Sequence, residues 1–375
     1  MLPLLLSALL PHAHACGGFV PPSGTRVSSD AQQALYELGE DAITVTYRAR
    51  YAGNATDFAW VLAVPGGITD VSQGDADRLD AIALASDPVV HLDPAVNEEG
   101  GCGCGAAGSD GMKGGLGQDG GYSGVFVTGT GFAGNLQYTT LAASDADGLS
   151  AWLTDHGYDV SLIQSAIDAY VADPLDYEFV AVQVAPGEAV VTDDFGNVLL
   201  DPLQITYGTG ADGALHAVFP ARLGQSSTVE AVRTEMFVLA TGTASISGWS
   251  APENPDVSDG NDYDIVGPSY EDPNGLLSGF LTELAGDQAV AWQTWTGEYT
   301  DDAGESRWLT RYDSFVKPSA ETVDAEFTDT TEKTEVDTVI FLQEESAYEA
   351  DHPAAWLLPA GLVGLVGLRR RLSRR

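Results

Sequence analysis

Lysine occurs only three times in this chain of 375 residues, and lysine and arginine together reach 16 against 55 aspartates and glutamates, for a formal net charge of -39. A phosphate backbone needs a basic surface, so this scarcity excludes nucleic acid as a partner. Five of the sixteen basic residues, Arg369, Arg370, Arg371, Arg374 and Arg375, fall in the last seven positions, which leaves eleven to face all 55 acids in the rest. Such a surface is that of a protein kept soluble by its acidity. Cysteine is as rare, at Cys16, Cys102 and Cys104. A zinc site would need a fourth ligand, and His91, His156, His216 and His352 show no ligand spacing. No Gly-x-Ser-x-Gly, His-Glu-x-x-His or dinucleotide glycine pattern occurs, so no common catalytic motif is present. Folding itself is well supplied, with 44% hydrophobic residues and 9% aromatics.

Long apolar runs are confined to the two ends. Met1 to Leu10 is almost wholly apolar, and Ala13-His14-Ala15 presents small residues at the positions a signal peptidase reads. This predicts export with cleavage between Ala15 and Cys16, although no Lys or Arg precedes the run. Acylation of Cys16 is the rival reading. At the far end Ala354 to Leu368 carries no charge and has no polar stripe. As a helix it would measure about 22 Å against a hydrocarbon core of about 30 Å, short but sufficient if the flanking arginines snorkel. Arg369, Arg370 and Arg371 then act as a membrane stop on the cytoplasmic side, and the acidic body faces outward. The order of polar lead, apolar helix and arginine cluster also resembles the C-terminal sorting tags of bacterial surface proteins. The expected organisation is a signal peptide over 1–15, one α+β ectodomain or two tightly packed subdomains over 16–350, and a transmembrane or sorting tail over 351–375.

Within the body the apolar pattern has a period of two. Ala34 to Gly53 reads as a hairpin with Ile43, Val45, Tyr47 and Tyr51 on one face and its turn at Gly39 to Asp41. A buried strand ends at Pro65, and Asp75 to Ala85 is helical. Gly100 to Gly124 is too rich in glycine for helix or strand and reads as a long loop. Val125 to Ala143 is again strand. Ser144 or Asp145 caps a helix that stops at Gly157, and Ser161 opens a second that ends at Pro174. Strands are predicted at Glu178–Val184, Val198–Tyr207, His216–Pro220, Glu230–Ala240, Ala289–Tyr299, Arg307–Val316 and Thr338–Leu342, with a further helix near Gly275–Ala285. The fold class is α+β, mostly antiparallel sheet with a few helices.

Three groups of residues invite a chemical reading. In an exported protein Cys16 and either Cys102 or Cys104 could close a loop of about ninety residues, adding about 4 kcal/mol by loop-closure entropy. Asp256, Asp259, Asp262 and Asp264 lie close together with Gly260 and Asn261, oxygen donors suited to Ca²⁺ but in a spacing that is not an EF-hand and that equally suits a solvated turn. Trp292, Trp295, Tyr299, Trp308 and Tyr312 could line a groove, and more often such residues are sheet core.

The succession of "CGGFV" at Cys16, "YAGNATDFAWVLAVP" at Tyr51 to Pro65, the Cys102 and Cys104 pair, "LAASDADGLSAWLTDHGY" at Leu141 to Tyr158, "YEFVAVQV", "LDPLQITY" at Leu200 to Tyr207 and "SRWLTRY" at Ser306 to Tyr312 resembles a bacterial family of exported proteins, domain of unknown function 2330. Family members often carry another cysteine soon after the first, where Val20, Pro21 and Pro22 stand here. The resemblance implies a shared fold and export, and brings no activity. The expectation is a membrane-anchored, non-enzymatic envelope or cell-surface protein that needs no cofactor. A secreted hydrolase without a recognisable motif and a Ca²⁺-dependent binding or adhesion module are the alternatives.

Overall fold

The computed structural model describes residues 18–22, 28–52, 58–87, 89–93, 123–192, 197–226, 232–251, 287–301, 303–343 and 368–371. In chain order β1 (Gly18–Val20) precedes the hairpin of β2 (Ser28–Leu38) and β3 (Ile43–Ala52), then β4 (Ala59–Pro65), β5 (Ile68–Gln73), α1 (Ala76–Ala85) and β6 (Val89–Asp93). The hairpin β7 (Val125–Ala133) and β8 (Leu136–Ala143) leads to α2 (Ala146–Asp155), α3 (Gln164–Val171) and β9 (Tyr177–Val184). Short strands follow: β10 (Val191–Thr192), β11 (Val198–Leu199), β12 (Leu203–Tyr207) and β13 (Ala217–Phe219). The remainder comprises β14 (Val232–Ala240), β15 (Ala244–Ser247), β16 (Trp292–Thr300), β17 (Ser306–Val316), β18 (Ala325–Asp329), β19 (Val336–Gln343) and β20 (Leu368–Arg371).

Three sheets result. The first has the order β1-β4-β9-β8-β7 and is antiparallel throughout. The second runs β10-β11-β3-β2-β14-β17-β16-β19-β20, with β12 bridging β3 to β5 and β6 added to β19. It is mixed, because β2 pairs in parallel with β14 and β6 with β19. The third, β13-β18-β15, is small.

Alternation along the strands decides the layers. Trp60, Leu62, Val64, Val180 and Val182 of the first sheet pack on Tyr36, Val45, Tyr47, Met236 and Val238 of the second, with Phe219 and Phe327 of the third sheet joining the same core. The opposite face of the first sheet, including Val61, Ala63, Phe179 and Ala181, is covered by Leu149, Trp152 and Leu153 of α2 and Ile167 and Tyr170 of α3. Leu79 and Ile82 of α1 cover Leu35, Phe237, Leu239 and Leu309 on the outer face of the second sheet. The molecule is thus two stacked sheets with helices on both outer faces. β4 lies inside this stack, which is why all seven of its residues are buried.

The hairpin, α1 and the end of β4 at Pro65 stand where the sequence pattern places them. Other elements differ. Pro202 has no N–H to donate, and the strand expected over Val198 to Tyr207 splits into β11 and β12, both on β3. Ser161 does not open a helix: the Asp159 carboxylate accepts its N–H at 3.1 Å, a single 3-10 turn follows, and α3 starts at Gln164. Asp145 occupies the cap position of α2 with no side-chain cap bond. That helix nevertheless requires glycine at Gly148, where a Cβ would lie 2.0 Å from the Ser123 carbonyl oxygen.

None of the described helices is long and apolar enough to cross a membrane. Most of the expected span, 354–367, lies outside the described residues. Its last residue, Leu368, is extended, and Leu368–Arg371 pairs antiparallel with β19, whose edge offers it backbone partners. The glycine-rich loop up to 122 and the helix expected near Gly275–Ala285 also lie outside the described residues.

Candidate functional site

The outer face of the second sheet carries more than an apolar patch for α1. Alternation sends Gln33, Leu35 and Glu37 of β2 to this face, with Arg48 and Arg50 of β3, Arg233, Glu235 and Phe237 of β14, and Arg307, Leu309, Arg311 and Asp313 of β17. The apolar members meet α1, and the charged members form a band at each end of it.

At the N-terminal end the Asp75 carboxylate caps α1, accepting the Arg78 N–H at 3.0 Å. Both Arg78 terminal nitrogens donate to Glu37, one of them at 2.9 Å. Arg307 adds bonds of 2.7 and 2.8 Å to the carbonyl oxygens of Leu38 and Leu239.

The band at the C-terminal end is denser. Arg311 is fully buried and donates to Asp313 at 2.9 and 3.0 Å, to Glu235 at 3.1 Å, to Asp87 at 2.6 Å and to the Ala83 carbonyl of α1 at 3.2 Å. It therefore closes the helix end with the sign of charge the helix dipole favours. Glu235 also accepts from Gln33 at 2.6 Å and from Arg233. Arg48 donates to Gln33 at 2.8 Å and to Asp80. Burial opposes charge on Arg311, but Asp313, Glu235 and Asp87 outweigh it and raise its pKa. Burial likewise opposes charge on Glu235, and Arg233 and Arg311 hold its carboxyl below the usual range. Asp87 is shifted upward, because burial there exceeds the pull of Arg311.

This band floors an open cavity of about 470 Å³ lined by Gln33, Arg48, Arg50, Asp80, Asp87, Arg233 and Glu235, with Leu84 and Leu199 exposed at its edge. Its side chains offer guanidinium, carboxylate, amide and alkyl groups. Those are groups that can recognise and orient a ligand; among the described residues the lining holds no Ser, Thr, Cys, His, Tyr or Lys, and its carboxylates Asp80, Asp87 and Glu235 are engaged by Arg48, Arg311 and Arg233.

A second polar cluster lies on the third sheet. His216 Nδ1 is 2.7 Å from Glu326 and Nε2 is 2.9 Å from Asp212. Burial lowers the imidazole pKa, but the two carboxylate bonds exceed it and the net shift is upward. Asp212 is shifted downward, first by the Ala214 N–H and then by His216. His156 stacks on Trp152 with its Nδ1 2.6 Å from the Trp152 carbonyl, at the end of α2.

Most of the sequence-predicted site residues fall outside those the structure describes. Ala15, Cys16, Cys102, Cys104, Asp256, Asp259, Asp262 and Asp264 lie outside the described residues. Among the described residues no three of His, Cys, Asp and Glu gather to hold a metal ion. Arg369, Arg370 and Arg371 lie in β20. Of the aromatic run, Trp292, Trp308 and Tyr312 are buried, while Trp295 and Tyr299 pack under α1, so it is sheet core. The cavity residues were not anticipated, although "YRARY" at Tyr47 to Tyr51 and "VRTE" at Val232 to Glu235 place arginines at alternate positions in strands of a base-poor chain.

None of the curated proteins matches this chain. A solved structure titled as the crystal structure of baculovirus P35 aligns over 82% of this chain and 92% of that one, at 11% identity and a TM-score of 0.31, too low to carry an argument. Residues 10–328 match the family described as an uncharacterized protein conserved in bacteria, and the chain belongs to that family, DUF2330.

Proposed function

We propose that this protein is exported, anchored to the membrane, and serves the bacterial envelope by binding rather than catalysis, the arginine-lined cavity taking an anionic ligand with an apolar side. The observation that carries the binding reading is a concentration of charge: Arg48, Arg50 and Arg233, three of the eleven basic residues outside the tail, open onto one cavity beside Leu84 and Leu199. Guanidinium groups match carboxylate and phosphate geometry, and Asp80, 62% exposed on the cavity rim, already occupies Arg48 as such an anion would. The address rests on the apolar run before Cys16 and on the uncharged stretch before Arg369, and it requires Leu368–Arg371 to leave β19 when that stretch enters the membrane.

Two experiments test the two halves separately. After expression in a bacterial host, the full chain is expected in membranes that resist a salt wash, and accessible to protease from outside. Recovery from the washed supernatant with its C-terminal arginines attached would overturn the anchor. Calorimetric titration of the detergent-solubilised chain with inorganic phosphate and with succinate is expected to show binding of at least one, weakened about tenfold by Arg48→Gln, as for loss of one charge-assisted hydrogen bond. Absence of binding, or binding indifferent to Arg48→Gln, would remove the cavity from the proposal.

A further inference from the structure

Both ring nitrogens of His216 face carboxylates, and that fixes its protonation. Nδ1 lies 2.7 Å from Glu326 of β18, and Nε2 lies 2.9 Å from Asp212. A neutral imidazole carries one N–H, so it can donate to one of these groups and must turn a lone pair on the other. Only the imidazolium donates to both. The side chain is 17% exposed, so water offers it little substitute. The loop that runs into His216 needs such a fastening, because Gly208 to Gly213 holds three glycines in six residues and has much entropy to lose on ordering. It is nevertheless closely docked. The Gly208 N–H donates to the Gly67 carbonyl at 3.0 Å and the Ala211 N–H to the Leu175 carbonyl at 3.3 Å, and a Cβ on Gly66 would lie 2.6 Å from the Gly208 carbonyl oxygen. Gly67 follows β4 and Leu175 precedes β9, both of the first sheet, while the loop itself joins β12 of the second sheet to β13 of the third. It therefore sits where all three sheets meet.

We propose that His216 is a proton-operated latch: the imidazolium clamps the loop over Gly208 to Gly213 against β18, and loss of its proton releases one carboxylate and frees the loop from the sheet junction. The step exchanges one proton between the ring and water, and no bond but that N–H is made or broken. Burial opposes charge on the ring, and the hydrogen bonds to Glu326 and Asp212 outweigh it, so the proton is held above the ordinary histidine value. A group raised on folding contributes fully below its unfolded value and loses that contribution as pH rises through the folded one, so the latch is closed in mild acid and opens on the alkaline side. Among the described residues, the other titratable groups facing this cluster are the phenols of Tyr207 on β12 and Tyr177 on β9, both near Glu326, and burial raises both so that they stay neutral. Arg222, the cation beyond Tyr177, is held by Asp324 and Asp173. The latch uses none of the residues that line the cavity of the second sheet.

The test is hydrogen exchange of the full chain in a neutral detergent at about pH 5.5 and about pH 8.5, on either side of the ordinary histidine range, with rates corrected for the intrinsic effect of pH. At the higher pH the Gly208 and Ala211 amides are expected to exchange about tenfold faster relative to those of β2 and β3, as for loss of one charge-assisted hydrogen bond. His216→Gln, neutral at every pH, is expected to abolish that dependence. Asp212→Asn, at an exposed position and able to donate to the deprotonated ring nitrogen, is expected to keep the loop protected at the higher pH. Glu321 is retained in every variant, so its own titration cancels. Equal protection of the unaltered chain at the two pH values would overturn the proposal, as would loosening that persists in His216→Gln. If His216→Gln does not fold, Asp212→Asn decides alone, and loosening there as large as in the unaltered chain overturns the latch.

Discussion

Two hairpins of similar build have opposite fates. β2 with β3 and β7 with β8 are each a pair of antiparallel strands joined by a short turn containing glycine. The first lies inside its sheet, flanked by β14 on one side and by β11 and β12 on the other, and yet it carries Glu37, Arg48 and Arg50. The second ends its sheet and carries no charge at all. The usual expectation is the reverse, with charge at edges and apolar residues inside. The difference shows that charge inside the second sheet is placed to be neutralised. Glu37 and Arg48 are answered by Arg78, Arg307, Gln33 and Asp80, whereas the edge hairpin has no charge to satisfy and exposes two phenylalanines.

The sharpest way to break this comparison is to remove the cation at its centre. Arg311→Met leaves Glu235, Asp313 and Asp87 without their shared partner in a buried site, and is expected to cost about 3–5 kcal/mol in denaturant unfolding. Replacing Phe126 and Phe132 by Asp, by contrast, is expected to change unfolding by less than about 0.5 kcal/mol, because both side chains already lie in solvent. If the two changes destabilise equally, the contrast between the hairpins is lost.

A smaller effect comes from the helix that shelters the charged face. Asp75→Ala removes the α1 cap and is expected to cost about 1 kcal/mol, with hydrogen exchange rising first at Leu79 and Ile82. The ion band also predicts acid sensitivity. The Glu235 carboxyl sits below its usual range in the folded state, so its contribution is complete above the unfolded value and is lost as pH falls through the lower folded value. Acid unfolding curves of Glu235→Gln, already weakened at neutral pH, are expected to be flatter across that window.

Glu321 sharpens the comparison as a buried carboxyl shifted in the opposite direction to Glu235. Burial, aided by the nearby Asp324 charge, pushes it well above the usual glutamate value. A group raised on folding contributes fully below its unfolded value and loses that contribution as pH rises through the folded one. Glu321→Gln is therefore expected to flatten the decline of stability from mildly acid pH upward, measured by thermal melting across pH.

Much of the fold was legible because its signals are local. Alternation at Ile43, Val45, Tyr47 and Tyr51 marks a strand with one buried face, and Asp75 before an apolar helical pattern marks the start of α1. The candidate site was half legible. The alternating arginines of β3 and β14 announce a charged face, but their neighbours do not follow from spacing, since the parallel pairing of β2 with β14 joins positions 202 residues apart. A parallel pair has no tight turn to reveal it.

By itself the sequence determined the strand periods, the charge-poor hairpin, the acidic surface and the apolar ends, because each depends only on neighbours along the chain. Tertiary structure alone decided that Arg311 would meet Asp87, 224 residues earlier, and Glu235, 76 residues earlier, and that α1 would leave a cavity beside them. A buried ion is tolerable only where opposite charges converge from several strands, and that convergence is a property of the packed sheet, not of any segment.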